Sequence, residues 1–452
     1  MKLRSAPAPR QREPDAVLVA SAAESSIYML NEDNLATAFA DQHRRQLRFS
    51  HDRGHWFVWD GTRWREDATD LAFEWARQLC RKHNTEAKKS FAKAAVAAAI
   101  ERFARSDRAF AMRGDEWDAD PMLLNTPEGT IDLRTGALRP ADQADLITRS
   151  TIIAPEEGDP VLWRQFLAQA TQQDEQGERF LRQVAGYALT GDTREECLFF
   201  LYGPGRNGKN TFVGALFEIL GDYAANAPMD TFLSSRFERH STDLAMLRGA
   251  RLVIASETQE GRAWDEQRVK GLTGGDAVTA RFMRHDNFTY RPSFKLVLTG
   301  NHKPRLGSVD DAWRRRFHIV PFTYRPEHPD NTLKARLREE YPRILQWALD
   351  GCLDWQKNGL IVPERVKAES AEYFAHQDVF ATWLEERCAT DPAIATTTAE
   401  LFRSWKTFAE EAGEYPGSTR VLGDRLRSHG YESVKDSMGI RGRGFAGLRV
   451  RP

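Results

Sequence analysis

The chain has 452 residues, room for roughly two to four domains with substantial cores. Its formal net charge of −1 excludes a global positive field as the means of attracting a polyanion, although a basic groove can be offset by acidic residues elsewhere. Cys80, Cys197, Cys352 and Cys388 lie far apart with no CxxC or His pairing and read as reduced core thiols. No apolar run approaches the ~20 residues that span a bilayer, so no membrane partner is expected and the chain reads as cytoplasmic.

Residues 1–33 combine prolines and charges around a short apolar patch and read as a flexible tail rather than a signal peptide. Helical periodicity begins at NEDNLATAFADQHRRQL, with Asn31 or Asp33 as its cap. WFVWDGTRW then alternates as a hairpin with Asp60-Gly61 at the turn and Trp64 in the return strand. An Ala-rich helix is expected over 86–105, its Lys88, Lys89, Lys93, Arg102 and Arg105 forming a solvated basic face. LLNTPEGTIDLRTGALRP reads as short strands separated by turns. Helices follow over 160–190, with Trp163, Phe166, Leu167, Phe180, Leu181, Val184 and Leu189 as apolar faces. From 196 onward, apolar runs alternate with amphipathic helices, which is an α/β pattern.

That α/β stretch carries the chemistry. CLFFLY suits a buried parallel strand and NTFVGALFEIL a helix; between them lies GPGRNGK, a phosphate-cradling loop of Gly203, Pro204, Gly205, Arg206, Asn207, Gly208 and Lys209. The loop departs from its rule at the next position, where Asn210 replaces Ser or Thr and Thr211 comes one residue late. Either an Asn carbonyl or a shifted Thr hydroxyl can serve as a hard oxygen ligand for Mg²⁺. RLVIAS is a second strand, delivering Ser256 and Glu257 to its C-terminal end, where open α/β sheets bind ligands; Glu257 is the candidate base and a metal ligand with Asn210. FKLVLTG is a third, with Asn301 just beyond it, placed to position water against a γ-phosphate. Arg314, Arg315 and Arg316 precede a fourth, FHIVPF.

In this order, GPGRNGKNTF, RLVIASETQEG, VKGLTGGDAVTARFMRHDNFTYRPSFKLVLTGNHKP and DDAWRRRFHIVPF resemble the superfamily 3 helicases of the AAA+ class, and specifically the helicase region of phage, plasmid and poxvirus primase-helicases. The resemblance spans roughly residues 34–325. It implies an ATP- and Mg²⁺-dependent DNA helicase forming a homo-oligomeric ring, expected to be a hexamer. Lys209 and Asn210 would bind nucleotide, Glu257 would activate water and Asn301 would sense phosphate. Arg315 or Arg316 would complete a neighbour's site. A hairpin between Arg281 and Phe294 would carry Arg284 and His285 into the channel, with Lys270 and Arg281 close by, to track single-stranded DNA. Phe288 and Tyr290 are expected to pack its base. The host would be bacterial and the gene that of a phage or mobile element. With about thirty residues before the matched region and no zinc-ribbon cysteines, a separate primase is expected.

The expected fold class is α/β: an AAA+ P-loop NTPase core (159–330) behind a mixed α/β N-terminal region of helices and hairpins (34–158). A helical connector (331–366) would lead to a mostly helical, winged-helix-like C-terminal domain (367–452). In that last domain STRVLGDRLRSHG is the recognition-like helix, with Arg420, Arg425 and Arg427; duplex origin binding and a purely structural role both stay open. Two alternatives for the whole chain stay open as well, an origin-melting initiator and a nucleotide-binding regulator with weak hydrolysis.

Overall fold

A computed structural model describes residues 31–84, 91–235, 241–256, 261–284, 286–306, 309–412 and 414–451. Among them, one unit takes the residues up to Val58 and from Asp67 to Arg113, and the other takes Trp59 to Glu66 and everything from Gly114 onward.

The first elements are α1 (Glu32–His43), β1 (Leu47–Ser50), β2 (His55–Trp59), β3 (Trp64–Glu66), α2 (Leu71–His83), α3 (Ala94–Ser106) and β4 (Ala111–Met112). In the smaller unit, β1 pairs antiparallel with β2 and parallel with β4, and the three helices bury Phe39, Leu79 and Ile100 beside Phe49 and Phe110. Asn31 is the cap of α1, its side chain accepting from the Asn34 N–H at 2.8 Å. The buried Glu101 carboxylate accepts from Trp56 Nε1 at 2.6 Å and from Arg105 Nε at 2.8 Å, so the charge is compensated. The Ala-rich helix starts at Ala94 rather than 86: Phe91 is buried and the chain bends through it to Lys93, while Lys88 and Lys89 lie outside the described residues.

The larger unit holds β3, where Trp64 Nε1 donates to the Gln143 carbonyl at 3.0 Å, and an antiparallel meander of β5 (Leu123–Thr126), β6 (Gly129–Asp132) and β7 (Ala137–Arg139). Next come α4 (Val161–Ala170), α5 (Glu175–Leu189), β8 (Leu198–Tyr202), α6 (Lys209–Leu220), β9 (Ala224–Asn226), α7 (Thr242–Ala245) and β10 (Leu252–Ser256). They are followed by α8 (Glu266–Thr273), β11 (Val278–Ala280), β12 (Phe288–Tyr290), β13 (Lys295–Gly300), α9 (Asp311–Arg316) and β14 (Phe317–Pro321).

Five of these strands form a fully parallel sheet in the order β14-β8-β13-β10-β9. Both faces are covered, which is why the strands read as continuous apolar runs. Phe199 and Leu201 face one core with α5 and α6, whereas Leu198 and Phe200 face the other with Trp264, Trp313 and Tyr373. At the N-terminal edge of the sheet two cations are buried. Arg251 donates to the Leu189 and Leu123 carbonyls, each at 2.6 Å, and lies over the Tyr223 ring at 4.4 Å. Lys295 donates to the carbonyls of Thr190, Asp192 and Ser293 and is held well below the usual lysine range by its burial. Together they fasten the sheet to the meander and to α5, leaving the opposite edge for chemistry.

The chain continues through α10 (Leu333–Leu337), α11 (Tyr341–Asn358) and α12 (Glu364–Gln377). α5 and α11 cross at two glycines: a Cβ on Gly186 would lie 2.0 Å from the Cys352 nitrogen, and one on Gly351 2.1 Å from the Arg182 oxygen. α12 packs Tyr373 and Phe374 on Phe317 of β14 and thus belongs to the sheet core. The last elements are α13 (Val379–Arg387), β15 (Cys388–Thr397), α14 (Thr398–Glu411), α15 (Thr419–Ser428), β16 (Ser433–Lys435) and β17 (Arg443–Val450). They enclose their own core of Phe380, Trp383, Trp405, Leu422 and Phe445, with an antiparallel sheet ordered β15-β17-β16. All four cysteines are buried and unpaired, and no helix among the described residues is long and apolar enough to cross a membrane.

Candidate functional site

β8 ends between its two neighbours β13 and β14, at the C-terminal edge of the sheet, and the chain turns there into α6 through residues 203–208. Two of the loop's glycines are sterically required. A Cβ on Gly203 would lie 2.0 Å from the Phe322 carbonyl oxygen. Gly208 has φ +91°, and its Cβ would meet the Phe166 ring at 2.7 Å. Around Gly205, by contrast, the space is open. Pro204 and Arg206 are exposed on the loop's rim.

Asn207 is buried and turns inward: Nδ2 donates to the Phe322 carbonyl, and Oδ1 accepts from Lys209. The Lys209 ammonium donates to the Gly203 carbonyl at 2.6 Å, to Asn207 Oδ1 at 3.1 Å and to Asn301 Oδ1 at 3.1 Å. The structure therefore brings Lys209 and Asn301 together, although 92 positions separate them. Burial pushes the Lys209 ammonium down to about 8. Asn210 is exposed on the first turn of α6 and Thr211 is half-buried beside it.

Ser256 closes β10 opposite Thr299, whose hydroxyl donates to Ser256 Oγ at 3.1 Å. Glu257 and His285 lie outside the described residues.

The three arginines of α9 separate in character. Arg314 lies over the Phe374 ring at 5.4 Å, and Arg316 pairs with Glu196 at 2.5 Å. Arg315 is exposed and has no partner among the described residues.

β11 and β12 form an antiparallel hairpin, Val278 opposite Tyr290 and Ala280 opposite Phe288. Tyr290 is buried at its base, its hydroxyl donating to the Leu244 carbonyl at 2.5 Å, and Phe288 stacks on Phe282 with centroids 5.7 Å apart. At the tip Arg281 and Arg284 are exposed, Arg284 with φ +63°, and Met283 is 73% exposed. Lys270 is engaged elsewhere: its ammonium sits 2.5 Å from Asp310, the residue that caps α9. Sequence patterning placed Phe166 on an apolar helix face and Phe322 at the end of the FHIVPF strand. Their contacts with Gly208, Gly203 and Asn207 shape the loop, and no local signal carries that information.

The donor set fits a nucleotide's phosphates: a glycine loop, a helix N-terminus and a lysine converge at the edge of a parallel sheet, with the Asn210 side chain exposed on the first turn of α6 as a hard oxygen for a divalent cation. The parallel five-stranded sheet with this glycine loop is consistent with a P-loop nucleoside triphosphatase core.

Comparison with known proteins narrows the class. Residues 36–172 match the family described as "D5 N terminal like", and residues 201–316 match a "Family of unknown function (DUF5906)". Two viral proteins with provisional helicase names are similar. One is L207/L206 of Acanthamoeba polyphaga mimivirus, 29% identical over 59% of this chain and 30% of its own length. The other is 022R of Frog virus 3 (isolate Goorha), 26% identical over 51% of this chain and 26% of its own length. This chain thus corresponds to less than a third of either relative. Two apo structures of the NrS-1 C-terminal region share the fold over 93% of this chain at 11% identity, with TM-scores of 0.52 and 0.54. The chain resembles the superfamily 3 helicases of the D5 type.

Proposed function

We propose that the chain is an ATP- and Mg²⁺-dependent DNA helicase that works as a homo-oligomeric ring, a hexamer, in replication of a phage or mobile element. The observation that carries this reading is the convergence of Lys209 and Asn301 at the glycine loop, a strand-end amide within hydrogen-bonding distance of the phosphate-binding ammonium. In this reading Lys209 moves from the Gly203 carbonyl to the β- and γ-phosphates, and Asn301, relieved of it, orients the attacking water. Glu257 takes that water's proton. Asn210 and Glu257 would hold Mg²⁺, which would supply charge neutralisation when bound. Arg315 is the member of the arginine pair that reaches a neighbouring subunit, because Arg316 is already spent on Glu196.

Arg281, Arg284 and His285 track one DNA strand, with Arg284 at the exposed tip of a hairpin whose base is packed through Tyr290. Lys270, tied to Asp310, contributes by holding α9 and its arginines. Strand displacement on a forked substrate tests the reading. Arg284→Ala is expected to keep basal ATP hydrolysis and lose unwinding. Normal unwinding by that variant would contradict the hairpin's role, and hydrolysis without any unwinding by the unaltered protein would leave an origin-melting initiator in its place.

A further inference from the structure

The glycine loop is tied to the strand that follows the arginines. Asn207 is 3% exposed, and its amide serves two partners: Nδ2 donates to the Phe322 carbonyl, and Oδ1 accepts from the Lys209 ammonium at 3.1 Å. The partners fix that orientation, since a carbonyl needs a donor and an ammonium an acceptor. Gly203 leaves the space for this contact. A Cβ there would lie 2.0 Å from the Phe322 oxygen and 2.1 Å from Asn207 Nδ2, so a larger residue would wedge the joint apart.

Phe322 stands one residue past β14, and its N–H continues the ladder by donating to the Tyr202 carbonyl at 2.7 Å. At its other end β14 starts directly after α9, with no residue between Arg316 and Phe317. Along its length it runs parallel to β8, from Phe317 beside Leu198 to Pro321 beside Tyr202. Phe317 is buried among Phe200, Trp264 and Trp313. A paired strand in a close-packed core transmits strain rather than absorbing it, so a displacement at one end reaches the other.

We infer that Asn207 is a positioning residue that registers the arginine a subunit lends, Arg315, against that same subunit's phosphate loop. This role rests on the proposed function, in which Lys209 leaves Asn207 for the phosphates and Arg315 acts on the neighbouring site. With the site empty, the amide is held from both ends; with nucleotide bound, Oδ1 is released while Nδ2 keeps the Phe322 carbonyl. Occupancy of one site is thus reported along β14 to the arginine that serves the next. The role is separable from any local one, because a subunit whose own site is dead can still lend its arginine.

Mixed rings test it. Lys209→Ala subunits, which lend Arg315, are combined with Arg315→Ala subunits, which keep a site, and the gain in ATP hydrolysis on mixing is measured. Absence of any gain would contradict the shared site itself, and this role with it. Given that gain, adding Asn207→Ala or, separately, Gly203→Ala to the Lys209→Ala subunit is expected to cut it about tenfold or more, the scale of a small misplacement of a catalytic group. Because the phosphate loop of that subunit is already inactive, a purely local role for Asn207 would leave the gain untouched. Gly205→Ala, on the same loop but with no atom within 4 Å of its Cβ, should leave it intact. Assembly of the mixtures, followed by their size, should be the same with all three. A gain undiminished by either joint substitution, or one that falls only in proportion to subunits lost from the ring, would overturn the role while leaving the shared site standing.

Discussion

Lys209 is the buried side chain through which folding and the proposed nucleotide binding would be linked. Its ammonium is surrounded by neutral oxygens, the Gly203 carbonyl and the amides of Asn207 and Asn301, and burial lowers it from 10.5 to about 8. Because the folded value is depressed below the unfolded one, the unfolded chain holds more protons between about pH 8 and 10.5, and stability from this group rises with pH across that window. Phosphate needs the charged form, so nucleotide affinity measured by titration calorimetry should fall as pH rises through about 8, with proton uptake on binding there. Lys209→Arg, which stays charged, should flatten that dependence. The α9 arginines give a second prediction at this scale: Arg315→Ala should lower kcat by roughly 10³-fold or more in the assembled protein with its thermal transition intact. Arg316→Ala, which strips Glu196 of its partner, should lower thermal stability. Much of this site was legible in the sequence, because glycine spacing and a lysine at a helix start are local features. The difference between Arg315 and Arg316 was not, since Glu196 lies far back in the chain.

Elements were legible where burial is one-sided or complete. The runs that became β8, β10 and β13 announced themselves because strands covered on both faces must be apolar throughout. β15 did not: its CATDPAIATT carries Asp391 and Pro392, and the ladder with β17 shifts register between Asp391 and Ala395, so neither alternation nor a clean apolar run exists. The α5–α11 crossing was equally hidden, since a glycine in a helix reads as a weakness until its partner is known. Gly186→Ala should lower stability by roughly 1–3 kcal/mol, seen as an earlier thermal transition, because its Cβ would meet the Cys352 backbone rather than a side chain that can move. Gly205→Ala meets no atom within 4 Å and carries only the strain of φ +92°.

For the whole molecule, the sequence conveyed class better than arrangement. The parallel sheet, the glycine loop and the family were readable, whereas placing α12 on the sheet core required Tyr373 and Phe374 to find Phe317. If Arg315 acts on a neighbour, two defective subunits can rescue each other. Lys209→Ala lacks its own site yet offers Arg315, and Arg315→Ala keeps its site yet lacks the arginine it would lend. Mixed together they should hydrolyse ATP faster than either alone, and activity no higher than the sum of the two would place Arg315 outside any shared site.

The most direct measurement is ATP hydrolysis with Mg²⁺, with and without single-stranded DNA, using Lys209→Ala as the blank. Turnover that DNA stimulates and that the substitution abolishes is expected. Nucleotide binding without turnover, or turnover indifferent to DNA, would contradict it.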